Sequence, residues 1–597
     1  MKKLFLFFTL LVLLTNVSFA QKIKQIDDWD TNATVKEAQH PQYRTHTIQK
    51  KYRRSMTSFS AGGDIAPVVP MAAPMAYSRK IGVSVGGAKD TNNFTDNIKN
   101  GYLPKIDSLS YEGTFYQHYF NTALKGECQS LFCPSYSQAM TKDMYTGEKY
   151  YYLSVGLNSG IDANDFQRKK LNLVVVLDIS GSMGSSFNHY ANGKKSYNSG
   201  AKSKMKIANE AIVSMMKHLE PNDRFGVVLF DNDAYKVKPL RKVKNTNMRA
   251  IKNHILAIEE RGGTNWSAGY KAGMDYFKNV RKRGYENRII FITDAMPNSG
   301  ELRKRKLFGM TKDASRRGIH TTFIGVGVDF NADLVEYVSK VKGANYYAVH
   351  SSKSFKKRMD KAFDYMVTPL AYNLKLKLQS RGYKIDAVYG VPQAQLDSGE
   401  IMKVNTLFPS ESKGKKNKGG VILLRLKKTG HAKSIKLSVS YVDTRGKRHH
   451  NVQKIHFKKH RKAFFDNKGI RKAILLSQYV TLMKNWMIDT REICNDNIIH
   501  EQISYRKNKY MTFPIDREYY KRMKTWERKS CKLKVNREYR KAFQVFKKHY
   551  RHEMRSLRDK SLKKELKVLN RLAKRQNFYD KNKKIDDWDT IFGRIRR

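Results

Sequence analysis

The chain has 597 residues, with 115 Lys and Arg against 53 Asp and Glu, a formal net charge of +62. Hydrophobic residues make up 40% and aromatic residues 11%, enough for real cores, which excludes a wholly disordered polycation. A mean hydropathy of −0.64 excludes a polytopic membrane protein, four cysteines exclude a disulfide-dense scaffold, and the length suggests about four domains.

Met1-Lys2-Lys3, the apolar run Leu4–Leu14 and the small residues of Ser18-Phe19-Ala20 have the pattern of a cleaved export signal over 1–20. The run is shorter than the roughly 20 residues a membrane span needs. No second long apolar segment follows, and no Cys offers a lipid anchor, so the mature chain is expected in a periplasm, at the cell surface or outside the cell. Export bears on the cysteines. Cys128 and Cys133 are close enough for a small loop disulfide, and Cys494 and Cys531 could form another. Four cysteines allow three pairings, and the sequence does not choose among them.

Residues 21–80 are polar and turn-rich, with Gly62-Gly63, Pro67, Pro70 and Pro74, and read as a flexible linker. Residues 81–165 are mixed and read as an N-terminal extension, with a strand at Tyr150–Val155. From 171 to 367 buried strands alternate with helices. The strands are Leu171–Leu177, Phe225–Phe230, Arg288–Thr293, Ile319–Val326 and Tyr346–Val349. The helices begin at Met205 and cover Met248–Ile258 and Tyr270–Val280. That alternation implies right-handed crossovers and a parallel sheet covered on both faces. Over 369–457 the period changes to two, as in Leu374-Leu376-Leu378 and Ile435-Leu437-Val439-Tyr441, which suggests an antiparallel sandwich. Gly469–Met487 reads as an amphipathic helix, and 466–597 as a basic helical tail, the end of the chain most expected to be mobile.

Three separated stretches carry the chemistry. Asp178-Ile179-Ser180-Gly181-Ser182 ends the first buried strand, Gly262-Gly263-Thr264-Asn265 precedes a helix, and Thr293-Asp294 ends another buried strand. In a doubly wound sheet the carboxyl ends of the strands gather on one edge, and ligands bind there. The set would supply two carboxylates and three hydroxyls, a hard-oxygen site suited to Mg²⁺, with Mn²⁺ or Ca²⁺ as further candidates. The lack of His and Cys argues against zinc or copper.

This pattern, D-x-S-x-S followed by a Thr and an Asp, resembles the metal-ion-dependent adhesion site of von Willebrand factor type A domains. The resemblance covers about 200 residues. It implies an α/β, doubly wound, Rossmann-like domain, here followed by the β-rich region and the basic helical end. It implies that Ser180, Ser182 and Thr264 bind the metal through their hydroxyls, while Asp178 and Asp294 act mainly through water and hydrogen bonds. The metal would then accept a carboxylate from a protein partner. A polar insertion, Ser185–Gly200, departs from the family's pattern beside the motif and could cover the site. The layout also resembles bacterial exported type A proteins, with Gly399-Glu400-Ile401 reminiscent of that group.

Two further signals stand apart. Tyr and Phe interleave with Lys and Arg after residue 500, as in Phe543-Gln544-Val545-Phe546-Lys547-Lys548. They read either as a polyanion-binding tail, with anionic surface glycans or an envelope surface as partner, or as a solvated helical face. The octet Lys24–Thr31 recurs as Lys583–Thr590 with seven of eight positions equal, including Ile-Asp-Asp-Trp-Asp-Thr. Each copy could dock in the same kind of groove, on a partner or on this chain, and a carboxylate of one copy could ligate a neighbour's metal. No catalytic motif is intact. After His552-Glu553 the position for a second His is Ser556, and Ser180 stands where a nucleophile elbow would place Gly before Ser182. The expectation is an exported, non-enzymatic, metal-dependent adhesion protein. The alternatives are a structural envelope-assembly protein with a metal-stabilised fold, or a polyanion-binding surface protein.

Overall fold

The computed structural model describes residues 25–34, 80–89, 91–144, 147–186, 202–294, 304–326, 341–349, 352–360, 362–380, 382–392, 401–431, 434–456, 462–507 and 532–574; a few side chains, among them those of 492–507, are excepted. The export signal, most of the linker, residues 187–200 of the insertion, Gly399-Glu400, Cys531, the Cys494 side chain and the second copy of the repeated octet lie outside the described residues.

In chain order the strands are β1 (Lys80–Val85), β2 (Gly87–Ala88), β3 (Tyr119–Asn121), β4 (Cys133–Lys142), β5 (Lys149–Asp162), β6 (Lys170–Asp178), β7 (Arg224–Phe230), β8 (Ala234–Lys242), β9 (Tyr285–Thr293), β10 (Ile319–Val326), β11 (Asn345–Val349), β12 (Ala371–Gln379), β13 (Tyr383–Tyr389), β14 (Ile401–Ser410), β15 (Ser412–Lys413), β16 (Lys416–Lys418), β17 (Val421–Lys428), β18 (Ser434–Asp443), β19 (Arg448–His456) and β20 (Phe464–Phe465). Seven of them form a sheet in the order β2-β11-β10-β9-β6-β7-β8. All its pairs are parallel except β7 with β8. Leu171, Leu173, Val175 and Leu177 of β6 face one apolar layer, while Val174 and Val176 face another. Both faces are dry, which is why β6 reads as an unbroken apolar run. The strand order reverses at β6, so the loops after β6, β7 and β9 meet at one rim.

The sequence reading missed two strands of this sheet. The segment of β8, AYKVKPLRK, is basic and contains Pro239, which argues against a central strand; at a sheet edge Pro costs no ladder bond to a second neighbour. At the other edge β2 comes from the N-terminal extension, a pairing that no local period announces.

The extension and the β-rich region are not separate units. β1, β4 and β5 share one antiparallel sheet with β12–β14 and β17–β19, in the order β13-β17-β5-β1-β14-β12-β18-β19, with β4 and β20 attached through β5. Residues 81–165 and 369–457 therefore build one body. Cys128 and Cys133 are joined by a disulfide there.

The C-terminal region corrects the expectation of a mobile tail over its described part. Helices Lys468–Lys507, Arg537–Leu557 and Lys563–Leu572 share an apolar core with the extension. Tyr539, Phe543, Phe546 and Tyr550 are fully buried. Their spacing puts them on one face of a helix, with the Lys and Arg between them facing outward, so the interleaved aromatics are core and not a stacking surface. The linker expectation fails at its start. Residues 26–34 lie along β8, where Ile26 pairs with Thr246 and the Asp30 N–H donates to the Val237 carbonyl at 2.7 Å. No described helix is long and apolar enough to cross a membrane.

Candidate metal centre

β6 delivers Asp178 to the rim fully buried, because the strand's apolar run ends there and its neighbours β7 and β9 continue alongside. The chain then turns, and the Ser180 N–H donates back to Asp178 Oδ1 at 2.9 Å. A short 3-10 turn, Gly181–Gly184, brings the Ser182 hydroxyl to 3.0 Å from that of Ser180. Ser182 donates to Asp294 Oδ1 at 2.8 Å, and Thr293, the last residue of β9, donates to Asp178 Oδ2. Asp178, Ser180, Ser182 and Asp294, 112 to 116 residues apart between the first stretch and the last, thus form one hydrogen-bonded chain, joined by the Ser180 N–H and the two serine hydroxyls.

Thr264 belongs to the second loop, which backbone bonds stitch to the first. The Gly181 N–H donates to the Gly262 carbonyl at 3.1 Å, and the Arg261 N–H donates to that of Ile179 at 2.5 Å. Gly262 has φ +68 and packs against Asp231, whose Cβ would lie 3.0 Å from an added methyl, so a side chain here would strain the backbone and push the loop off the rim. Thr264 itself is buried. All five residues expected from the sequence therefore sit at the same rim.

The charge at this rim is incompletely balanced. Burial, and then the negative charge of Asp294, push the Asp178 carboxyl up to about 7. Lys204 sends its ammonium to Asp294 Oδ2 at 2.8 Å, with both side chains nearly inaccessible. Lys204 thus pairs with Asp294, while Asp178 lies beside that second carboxylate. The donor set, three hydroxyls and two carboxylates in which the lysine offsets one charge, fits a hard divalent cation that keeps a net positive charge. Among the described residues no group of three or more His, Cys, Asp or Glu is placed to hold an ion.

Sequence reasoning missed Lys204 and Asp231. Lys204 opens helix Lys204–Met216, just after the insertion, and in the sequence it is one lysine among several; no signal marked it. Asp231 carried the signal that picked out Asp178 and Asp294, a carboxylate ending a buried strand. It accepts from Arg261 Nε at 3.0 Å and from the Tyr235 hydroxyl at 2.9 Å. Its own carbonyl accepts from the Asn265 N–H at 2.6 Å, so it holds the Thr264 loop in place. The insertion is rooted beside the site, where Ser186 pairs with Ser203 and the Lys204 N–H donates to the Ser185 carbonyl at 3.0 Å.

Residues 173–297 match the model of the von Willebrand factor type A domain. Over 210 residues the chain is 23% identical to inter-alpha-trypsin inhibitor heavy chain H2 of Mus musculus, covering 34% of this chain and 20% of that protein. Over 228 residues it is 22% identical to heavy chain H1 of Sus scrofa, covering 37% and 23%. The aligned part spans about a fifth of the length of these curated relatives. A solved structure of a von Willebrand factor type A protein from Catenulispora acidiphila is similar at TM-score 0.39 and 13% identity, over 61% of this chain and 81% of that one. The strand order, the rim and the family match agree: this chain carries a von Willebrand factor type A domain.

Proposed function

We propose that the protein is an exported binding protein whose type A domain engages an acidic residue of a protein partner through a divalent cation, Mg²⁺ or Mn²⁺. Ser180, Ser182 and Thr264 would hold the ion through their hydroxyls, with Asp178 and Asp294 behind them. The ion supplies a Lewis-acidic position that a carboxylate can fill. The observation that carries this reading is the hydrogen-bonded run of Asp178, Ser180, Ser182 and Asp294 at the rim, linked by the Ser180 N–H and two serine hydroxyls, with two carboxylates and one lysine. Asp231 and Arg261 keep the Thr264 loop against the first loop, and Lys204 limits the negative charge so that a bound cation stays attractive to a partner's carboxylate. The apolar start of the chain supports export. The net charge of +62 adds a long-range attraction for an anionic envelope or glycan surface, screened by salt.

The test is partner capture from envelope extract by the immobilised full chain in Mg²⁺. Chelation should release the captured protein, and Asp178→Ala, folded by circular dichroism, should capture none. Capture indifferent to chelator and to Asp178→Ala contradicts the proposal. Unfolding of Asp178→Ala would favour the envelope-assembly role, in which the metal only stabilises the fold.

A further inference from the structure

The segment Ile26–Thr31 is held against β8 and helix Met248–Leu256 by contacts that read its sequence. Its backbone extends that edge: the Asn247 N–H donates to the Ile26 carbonyl at 2.8 Å, and the Asp30 N–H to that of Val237. Asp27 takes a hydrogen bond from His254 Nε2 at 2.8 Å, which holds the Asp27 carboxyl below its ordinary range. Trp29 stacks on the same imidazole, with centroids 5.3 Å apart and planes 9° from parallel, and packs against the core beneath. Asp28 is almost inaccessible and lies 3.4 Å from both Lys238 Nζ and Arg241 Nε. Lys238 is fully buried, and burial lowers its pKa to about 8 against the pull of Asp28. Its Nζ also donates to the Phe225 carbonyl at 2.9 Å. A buried cation beside an edge strand, next to a half-buried imidazole shelf, is a receptor for an extended acidic segment with a central Trp. It also covers a sheet edge that would otherwise be open.

Every residue that makes these contacts, Ile26 to Thr31, recurs unchanged as Ile585 to Thr590. The groove therefore has two ligands written into one chain. Little chain is available to carry the C-terminal copy to its own groove. Its preceding helix, Lys563–Leu572, is joined to Asn92 through Lys564, and Asn92 follows closely on β2, which lies at the sheet edge opposite β8. Six strand spacings put the two edges ~29 Å apart. The eleven residues from Lys574 to Lys584 reach at most ~35 Å when fully extended, little more than the width of the sheet before any detour around the helices that cover it.

We infer that residues 583–590 of one chain occupy the groove formed by Val237, Lys238, Arg241, Asn245 and His254 of a second copy, displacing that copy's own residues 26–31. Because groove and tail are different surfaces, the contact is heterologous and joins chains head to tail. It makes no use of the metal rim, so chelation should leave it unchanged and its failure is distinct from failure of the adhesion reading.

Sedimentation of the full mature chain over a concentration series tests this. The wild type should self-associate. Trp588→Ala in the tail and His254→Ala on the groove should each abolish association while leaving the melting transition in place. A labelled peptide, KKIDDWDTIF, should bind the full-length Trp29→Ala chain at least about tenfold more tightly than the wild type, in which it must displace an intact segment, and should lose that binding when His254→Ala is added. A wild type that stays monomeric, association untouched by Trp588→Ala, or a peptide that binds neither chain overturns the inference. So do cross-links between 583–590 and the groove that arise only within single chains in an isotopically mixed sample.

Discussion

The two ends of β6 each bury a carboxylate, and they treat it in opposite ways. At the amino end Asp223 is fully buried and takes two bonds from Arg168, at 3.0 and 2.6 Å, and two more from the N–H groups of Leu171 and Glu220, both at 2.7 Å. Its charge is matched and its lone pairs are filled. At the carboxyl end Asp178 is equally buried, yet it meets small hydroxyls, one backbone N–H and a second carboxylate nearby. A buried carboxylate with a complete set of partners holds a fold together. One whose charge is left over marks a place for something not in the chain.

Three substitutions, the second with a paired control, break or sharpen this contrast in falling order of effect. Asp223→Ala leaves the Arg168 guanidinium buried without its bidentate partner and should cost ~3–5 kcal/mol in denaturant unfolding; a loss below ~1 kcal/mol would mean the amino end is no better matched than the rim. Phe546→Ala, in the helical layer, should also cost ~3–5 kcal/mol, while Val545→Ala beside it, 46% exposed, should change stability by less than ~0.5 kcal/mol. Equal effects of the two would return the aromatic-basic stretch to the surface role it first suggested. Cys128→Ser opens a loop of five residues' separation and should cost ~2 kcal/mol by loop-closure entropy, read as a lowered midpoint that reducing agent reproduces in the wild type.

The same contrast explains what could be read in advance. The strands of the central sheet are legible because both faces are apolar, so Leu171–Leu177 and Arg288–Thr293 stand out as unbroken runs, and the carboxylates that end them point to the rim. Long-range pairing is not legible. Nothing local in Lys80–Val85 says that it lies between β5 and β14, and the Pro in β8 argues against a strand that an edge tolerates. Composition misleads in the C-terminal region, where the charged neighbours of Phe543 and Phe546 mask the helical period that buries both rings. Lys204 is invisible in the sequence for a simpler reason: its role depends on a carboxylate 90 residues away.

The central claim is a divalent cation held at the rim by Asp178, Ser180, Ser182, Thr264 and Asp294. Isothermal titration of the full mature chain with Mg²⁺ and Mn²⁺ tests it most directly, alongside Asp178→Ala and the paired change Ser180→Ala with Ser182→Ala. One site per chain is expected in the wild type and none in either variant, with both variants still folded in chelator. Titration of the wild type without saturable uptake of either ion, or uptake that survives in both variants, would contradict it.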